Sequence, residues 1–235
     1  IPVTRHDITC NLPYQEGVHL CFDHHLSEFY RNEDRNNHIL DPHADSAARV
    51  VYEYYGGRTR FRNISDDMML AVDKADSAQF TEEEILDPQG WVLLSFIMDA
   101  RTGLGRFRNF SVSNYQLMLN LVDICREYKD VNDILALPDV AERVALYEEH
   151  VEPYINQVHA CSEKYDNLIV LDLREEDILY AGNRFMIYAL FPDCDMSMHV
   201  MWGRQKQNTV FAVGKSIINR DSKVNVGKLM LEYGG

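Results

Sequence analysis

Positive charge is scarce in this chain: 23 Lys plus Arg stand against 37 Asp plus Glu over 235 residues, a formal net charge of −14. Tracking a long nucleic acid needs a broad basic surface, so that partner class is set aside. Long apolar runs are also missing. None approaches the roughly 18 residues that cross a bilayer, which points to a soluble chain with no membrane partner. The five cysteines, Cys10, Cys21, Cys125, Cys161 and Cys194, are odd in number, scattered and without a C-x-x-C pair. Free thiols among apolar neighbours behave as small hydrophobes, and a reducing cytoplasm is the expected compartment. The chain opens on Ile1-Pro2 with no basic stretch leading into an apolar one, so no secretory leader is read there.

What is present is a chain long enough to bury a good core: 46% of its residues are hydrophobic, and its length suits two modest domains. Val18 to Phe22 reads as a short buried strand that runs into Asp23-His24-His25. The carboxyl ends of strands in an open α/β sheet are where ligands collect. Imidazole and carboxylate both suit a divalent transition metal, and a carboxylate beside a ligand ring fixes its tautomer. The competing reading is a solvated loop in which Asp23 caps the next turn.

His43 to Tyr55 has helical spacing, with Pro42 before it and Gly56-Gly57 as its stop. Ser65 with Asp66 and Asp67 reads as an N-cap and acidic first turn of a second helix. On that helix Asp73 and Asp76 share a face; they are either a solvated acidic edge or a ligand and its neighbour. Trp91 to Ala100 is apolar. Arg101 to Arg108 is the most basic patch, either a phosphate-gripping loop or a set of surface ion pairs. Helices are predicted over 115–128 and 131–137, and one long helix over 139–165, interrupted by Pro153, serves as a spacer. His150 and His159 on it read as structural or solvated. After Asn167 the spacing predicts strands at 168–173, 184–191, 196–201 and 209–213, then a helix from Val226 to Tyr233. Asn225 would cap that helix, whose N-terminus suits a phosphate or carboxylate.

Three stretches together resemble the DHH phosphoesterases, in the subgroup of exopolyphosphatases and short-oligonucleotide phosphodiesterases. Cys21 to Glu28 with Asp41 to Ala48 is similar to the family's third motif and following helix. Ala71 to Ala78 is similar to its fourth motif, and Val224 to Leu229 with Tyr233-Gly234-Gly235 to its substrate-gripping C-terminal subdomain. Two elements of the pattern are not found: the paired and lone aspartates of the first two motifs, expected upstream of position 1, and a closing Gly-Gly-Gly-His. The expectation is therefore an incomplete, inactive piece of a longer enzyme.

The resemblance implies an α/β protein. Residues 1–135 would be a parallel-sheet metal-binding domain cut at its N-terminus, 136–165 a helical linker, and 166–235 a smaller mixed α/β domain. It also implies two Mn ions, with Mg as the substitute, in the complete protein. His24 and Asp76 would ligate one of them. Asp23 would orient the His24 ring, and His25 would hydrogen-bond a phosphoryl oxygen. Asn219, Arg220, Gly234 and Gly235 would hold the substrate. Implied substrates are small phosphorylated molecules: polyphosphate, short oligonucleotides or phosphorylated nucleotides. A homodimer is compatible with the family. The alternative is a non-catalytic ligand-binding or regulatory protein that keeps the fold.

Overall fold

The computed structural model describes residues 2–33 and 35–234. Two compact units divide the chain, Ile1–Gln79 and Phe80–Gly235.

In the first unit, strands β1 (Ile8–Cys10), β2 (Leu20–Asp23) and β3 (His38–Leu40) form a parallel sheet with β2 in the centre. Cys21, Phe22 and Asp23 on β2 are all at most 1% exposed, so burial there is continuous rather than alternating. That pattern belongs to a parallel strand covered on both faces. Helix α1 (Leu26–Arg31) connects β2 to β3, and α2 (Ala47–Tyr54) and α3 (Asp66–Ser77) follow. Helix α2 starts later than its spacing predicts. Ser46, not Pro42, marks its beginning, because the Ser46 hydroxyl accepts the Arg49 amide. Residues 41–46 are thereby left as a turn beside the end of β2, where the Asp41 amide donates to the Asp23 carbonyl.

The second unit begins with α4 (Glu82–Leu86), opened by a reciprocal Thr81/Glu84 capping box, and α5 (Gly90–Met98). Helices α6 (Asn114–Glu127), α7 (Val131–Leu135) and α8 (Pro138–Ala160) complete its helical part. Leu94 and Ile97 of α5, Leu117 of α6, Ile134 of α7, and Val140 and Tyr147 of α8 share one core. The expected linker is thus part of a packed core, and the division at Gln79 falls inside the segment expected as one domain.

A four-stranded sheet in the order β4 (Ser162–Tyr165), β5 (Leu168–Asp172), β6 (Met196–Trp202), β7 (Thr209–Lys215) is mixed, with only β5 and β6 parallel. Residues 162–165 were expected to prolong α8. They pair instead as a hairpin around Asp166-Asn167, where Asp166 takes φ +56°; Asp and Asn tolerate that left-handed conformation. Residues 186–190, expected as strand, form helix α9 (Met186–Leu190). Four of its five side chains are buried, so its apolar run carries no readable period. The chain closes with α10 (Val226–Glu232), capped by Asn225 as its spacing predicts.

Candidate active site

Asp23 is the last residue of β2 and is completely buried. Its Oδ1 accepts the His24 amide at 2.8 Å, the His25 amide at 3.2 Å and the His25 ring nitrogen Nδ1 at 2.6 Å. Its Oδ2 is buried without a hydrogen-bond partner among the described residues. A buried carboxylate oxygen left bare is costly, and such sites accommodate a proton, a water or a cation.

The two histidines divide their work. His24 Nδ1 lies 3.0 Å from the Ala44 carbonyl, which can only accept, so that nitrogen carries the proton. Nε2 then presents its lone pair to Asp76 Oδ2, 3.3 Å away. Two acceptors facing each other need a proton or a metal ion between them. His25 is pinned through Nδ1 by Asp23, and its side chain is 52% exposed. The expectation that Asp23 orients the His24 ring is therefore corrected: Asp23 orients His25, and the Ala44 carbonyl orients His24. Neither Ala44 nor the turn that presents it was recognised from the sequence. The only signal for it was Ser46 as a helix cap, which leaves 41–46 outside α2.

Asp73 and Asp76 separate in the same way. Asp73 is buried, with Oδ1 accepting the Ser46 hydroxyl at 2.6 Å and Oδ2 accepting Arg49 Nε at 2.9 Å and a second guanidinium nitrogen at 2.5 Å. That carboxylate raises the Arg49 pKa above its ordinary value. It locks α3 to α2 and leaves Asp76, one turn on, facing His24. The Cys10 thiol at the end of β1 is pushed up in pKa, by burial first and then by the carboxylates of Asp23 and Asp76.

Two ligand atoms about 2.1 Å from a shared divalent cation, at angles between about 90° and 109°, lie about 3.0–3.4 Å apart. The 3.3 Å between His24 Nε2 and Asp76 Oδ2 fits that spacing. Among the described residues, however, no group of three or more His, Cys, Asp or Glu side chains is placed to hold a metal. The residues fit part of one cation's shell and do not build a dinuclear centre.

A cavity of about 560 Å³ in the first unit, lined by Phe22, Val51, Tyr52, Phe61, Met69 and Val72 among others, is apolar. None of Asp23, His24, His25 or Asp76 lines it, so it is not a place for phosphate.

The expected substrate-binding residues belong to the second unit. Asn219 Oδ1 accepts the Asp221 amide at 3.2 Å, and Arg220 Nε donates to the Ile217 carbonyl at 3.0 Å. Gly234 takes φ +84°, a left-handed conformation suited to glycine. Gly235 lies outside the described residues. His150, expected as structural, accepts the Ala181 amide through Nδ1 at 3.0 Å. Among the described residues no helix is long and apolar enough to cross a membrane.

No protein-family model and no curated protein matches this sequence. A solved structure described as a pGpG-specific phosphodiesterase, PggH from Vibrio cholerae, is 55% identical, with a TM-score of 0.83 over 100% of this chain and 76% of that one. An uncharacterized protein from Helicobacter pylori G27 aligns at 15% identity over 92% of this chain and 73% of its own, with a TM-score of 0.25, which carries no argument. At 55% identity over its full length, the chain belongs to the family of that phosphodiesterase, a family of hydrolases with this α/β fold.

Proposed function

We propose that this protein hydrolyses the phosphodiester bond of a short oligonucleotide of the pGpG kind, as a DHH-type enzyme dependent on a divalent cation. The observation that carries the reading is the 55% identity, over all of this chain, to a phosphodiesterase named for that dinucleotide. Kinship with an enzyme favours catalysis over the non-catalytic ligand-binding alternative. The acidic surface agrees with a small substrate rather than a polymer.

In this reading His24 and Asp76 hold one cation, Mn by family resemblance and Mg as substitute. When bound, a divalent ion lowers the pKa of water and offsets charge on the phosphoryl group. A second ion, as the resemblance implies, needs donors beyond those grouped among the described residues. The chain's own side chains position the rest. The Ala44 carbonyl keeps the His24 Nε2 lone pair available for the cation. Asp23 keeps the His25 ring fixed with its other nitrogen outward; once protonated, that nitrogen donates to a phosphoryl oxygen. Asn219, Arg220, Gly234 and Gly235 remain the proposed substrate-holding residues, with a cytoplasmic location and a homodimer as further parts of the family reading.

The test is a substrate panel of pGpG, longer oligonucleotides and polyphosphate with Mn or Mg, run beside His24→Ala. Mononucleotide release from pGpG is expected in the presence of the metal, falling more than about 100-fold in the variant because a metal ligand is gone. Equal turnover by His24→Ala would remove the site assignment, and hydrolysis of polyphosphate alone would remove the substrate.

A further inference from the structure

The basic loop at 101–108 holds an arrangement that the proposed reaction does not use. Asp99 follows α5 and caps the turn at Ala100–Thr102, with Oδ1 accepting the Arg101 amide at 2.8 Å. The Arg101 guanidinium grips the same carboxylate as a fork, Nε to Oδ1 and a terminal nitrogen to Oδ2, both at 2.8 Å. A second guanidinium arrives from far along the sequence: Arg184 Nε lies 3.4 Å from Asp99 Oδ2. Two cations share one anion, so the trio keeps a net positive charge inside a chain of net charge −14. Among the described residues no acceptor meets the remaining terminal nitrogen of Arg101 or either terminal nitrogen of Arg184.

Both arginines are held in place. The Gly182 amide donates to the Thr102 carbonyl at 3.1 Å and so joins the two segments. Thr102 is buried, its hydroxyl on the Phe96 carbonyl at 2.5 Å. The Asn183 side chain, also buried, donates to the Ile85 carbonyl and the Tyr147 hydroxyl and accepts the Phe185 amide. The Arg184 guanidinium lies over the Phe185 ring, 4.0 Å from its centroid, and that ring packs on Phe80 and Phe96. Burial, and then the like charge of Arg101, lower the Arg184 pKa from its ordinary value. The Arg184 side chain remains 35% exposed, and that of Arg101 63%. A guanidinium partly stripped of water, half-neutralised and still reachable favours an anion with several oxygens.

We propose that Arg101 and Arg184 form a binding site for a phosphate monoester or free phosphate. A planar carboxylate already occupies the inner edge of the fork as Asp99. The outer edge offers three donor nitrogens from two planes, which suits a tetrahedral dianion better than another carboxylate. The ordered segments on either side supply the site ready-made, so little conformational cost accompanies binding.

The test is isothermal titration of the whole chain in excess chelator, so that no divalent cation contributes. The probes are inorganic phosphate, guanosine 5′-monophosphate and guanosine. The wild type is expected to bind both phosphates and not guanosine, and Arg184→Gln and Arg101→Gln each to weaken binding about tenfold or more, as loss of charge-assisted hydrogen bonds implies. Arg184→Lys should recover only part, since it restores the charge without the fork. Tighter binding of the nucleotide than of phosphate identifies a nucleotide's phosphate as the ligand; equal binding identifies phosphate alone. No binding by the wild type, or unchanged affinity in a folded Arg101→Gln, whose side chain is mostly exposed, would overturn the site. The chelator keeps this outcome separate from the hydrolysis assay: either can fail while the other stands.

Discussion

Asp73 and Asp76 sit three residues apart on α3 and differ in what surrounds them. The first is buried against Ser46 and Arg49 and ties α3 to α2; the second keeps one oxygen toward His24, where the proposed cation would be held. Asp73→Asn takes away the buried carboxylate of Arg49 and leaves it only the exposed Glu53, 3.5 Å away, at an expected cost of about 1–3 kcal/mol in stability, the usual penalty for removing one side of a buried charged hydrogen bond. Asp76→Asn, at a side chain 30% exposed whose Oδ2 accepts the Ala47 amide at 3.3 Å, should change stability less than Asp73→Asn while abolishing Mn binding. Chemical denaturation and equilibrium dialysis on the two variants check the contrast; similar losses in both measurements would mean that the carboxylates act as one unit. Sequence periodicity places both aspartates on one face and does not choose between them. The choice rests on Ser46 and Arg49, which reach α3 only through the tertiary fold. For the same reason the Asp-His-His cluster is legible in one dimension, while the Ala44 carbonyl that sets the His24 tautomer is not, since a backbone oxygen has no residue type to announce it.

At the scale of elements, legibility follows periodicity and capping. Helix α6, with a polar cap and one apolar face, matches its spacing to within a residue, and α3 begins at its expected Ser65 cap. Elements buried on every side, such as α9, do not, and β4 exists only because Asp166 lets the chain turn back onto β5. Strand β6, between β5 and β7, offers a measurable consequence of partial burial. Its His199 is lowered in pKa from the ordinary 6.5 by desolvation alone. The fold therefore favours the neutral ring, and below pH 6.5 the unfolded chain binds the additional proton. This residue's contribution is fully present above that pH and is lost as pH falls through it. Thermal unfolding followed between about pH 7 and pH 5 should show a steeper loss for the wild type than for His199→Gln. Parallel curves would show that the ring does not titrate with unfolding.

For the molecule as a whole, the division into two units localises what a cation can do. His24 and Asp76, with the Ala44 turn and the Asp73 lock behind them, lie within Ile1–Gln79, and the core shared by α5 to α8 lies within Phe80–Gly235. A ligand that binds only the folded form stabilises it by about 2.7 kcal/mol at a hundred times its dissociation constant. If the cation is held as proposed, that stabilisation enters through the amides of the first unit. Hydrogen exchange with and without saturating Mn should slow at residues 20–25, 44–50 and 69–76 and stay unchanged along 138–160. Net charge sharpens the experiment, because a chain at −14 attracts divalent ions diffusely. Diffuse attraction acts on both units and fades with added salt, whereas coordination by His24 and Asp76 persists. Protection that appears equally in both units, or that vanishes at about 0.5 M salt, would show the cation to be atmospheric and would leave His24 and Asp76 as a plain hydrogen-bonded pair.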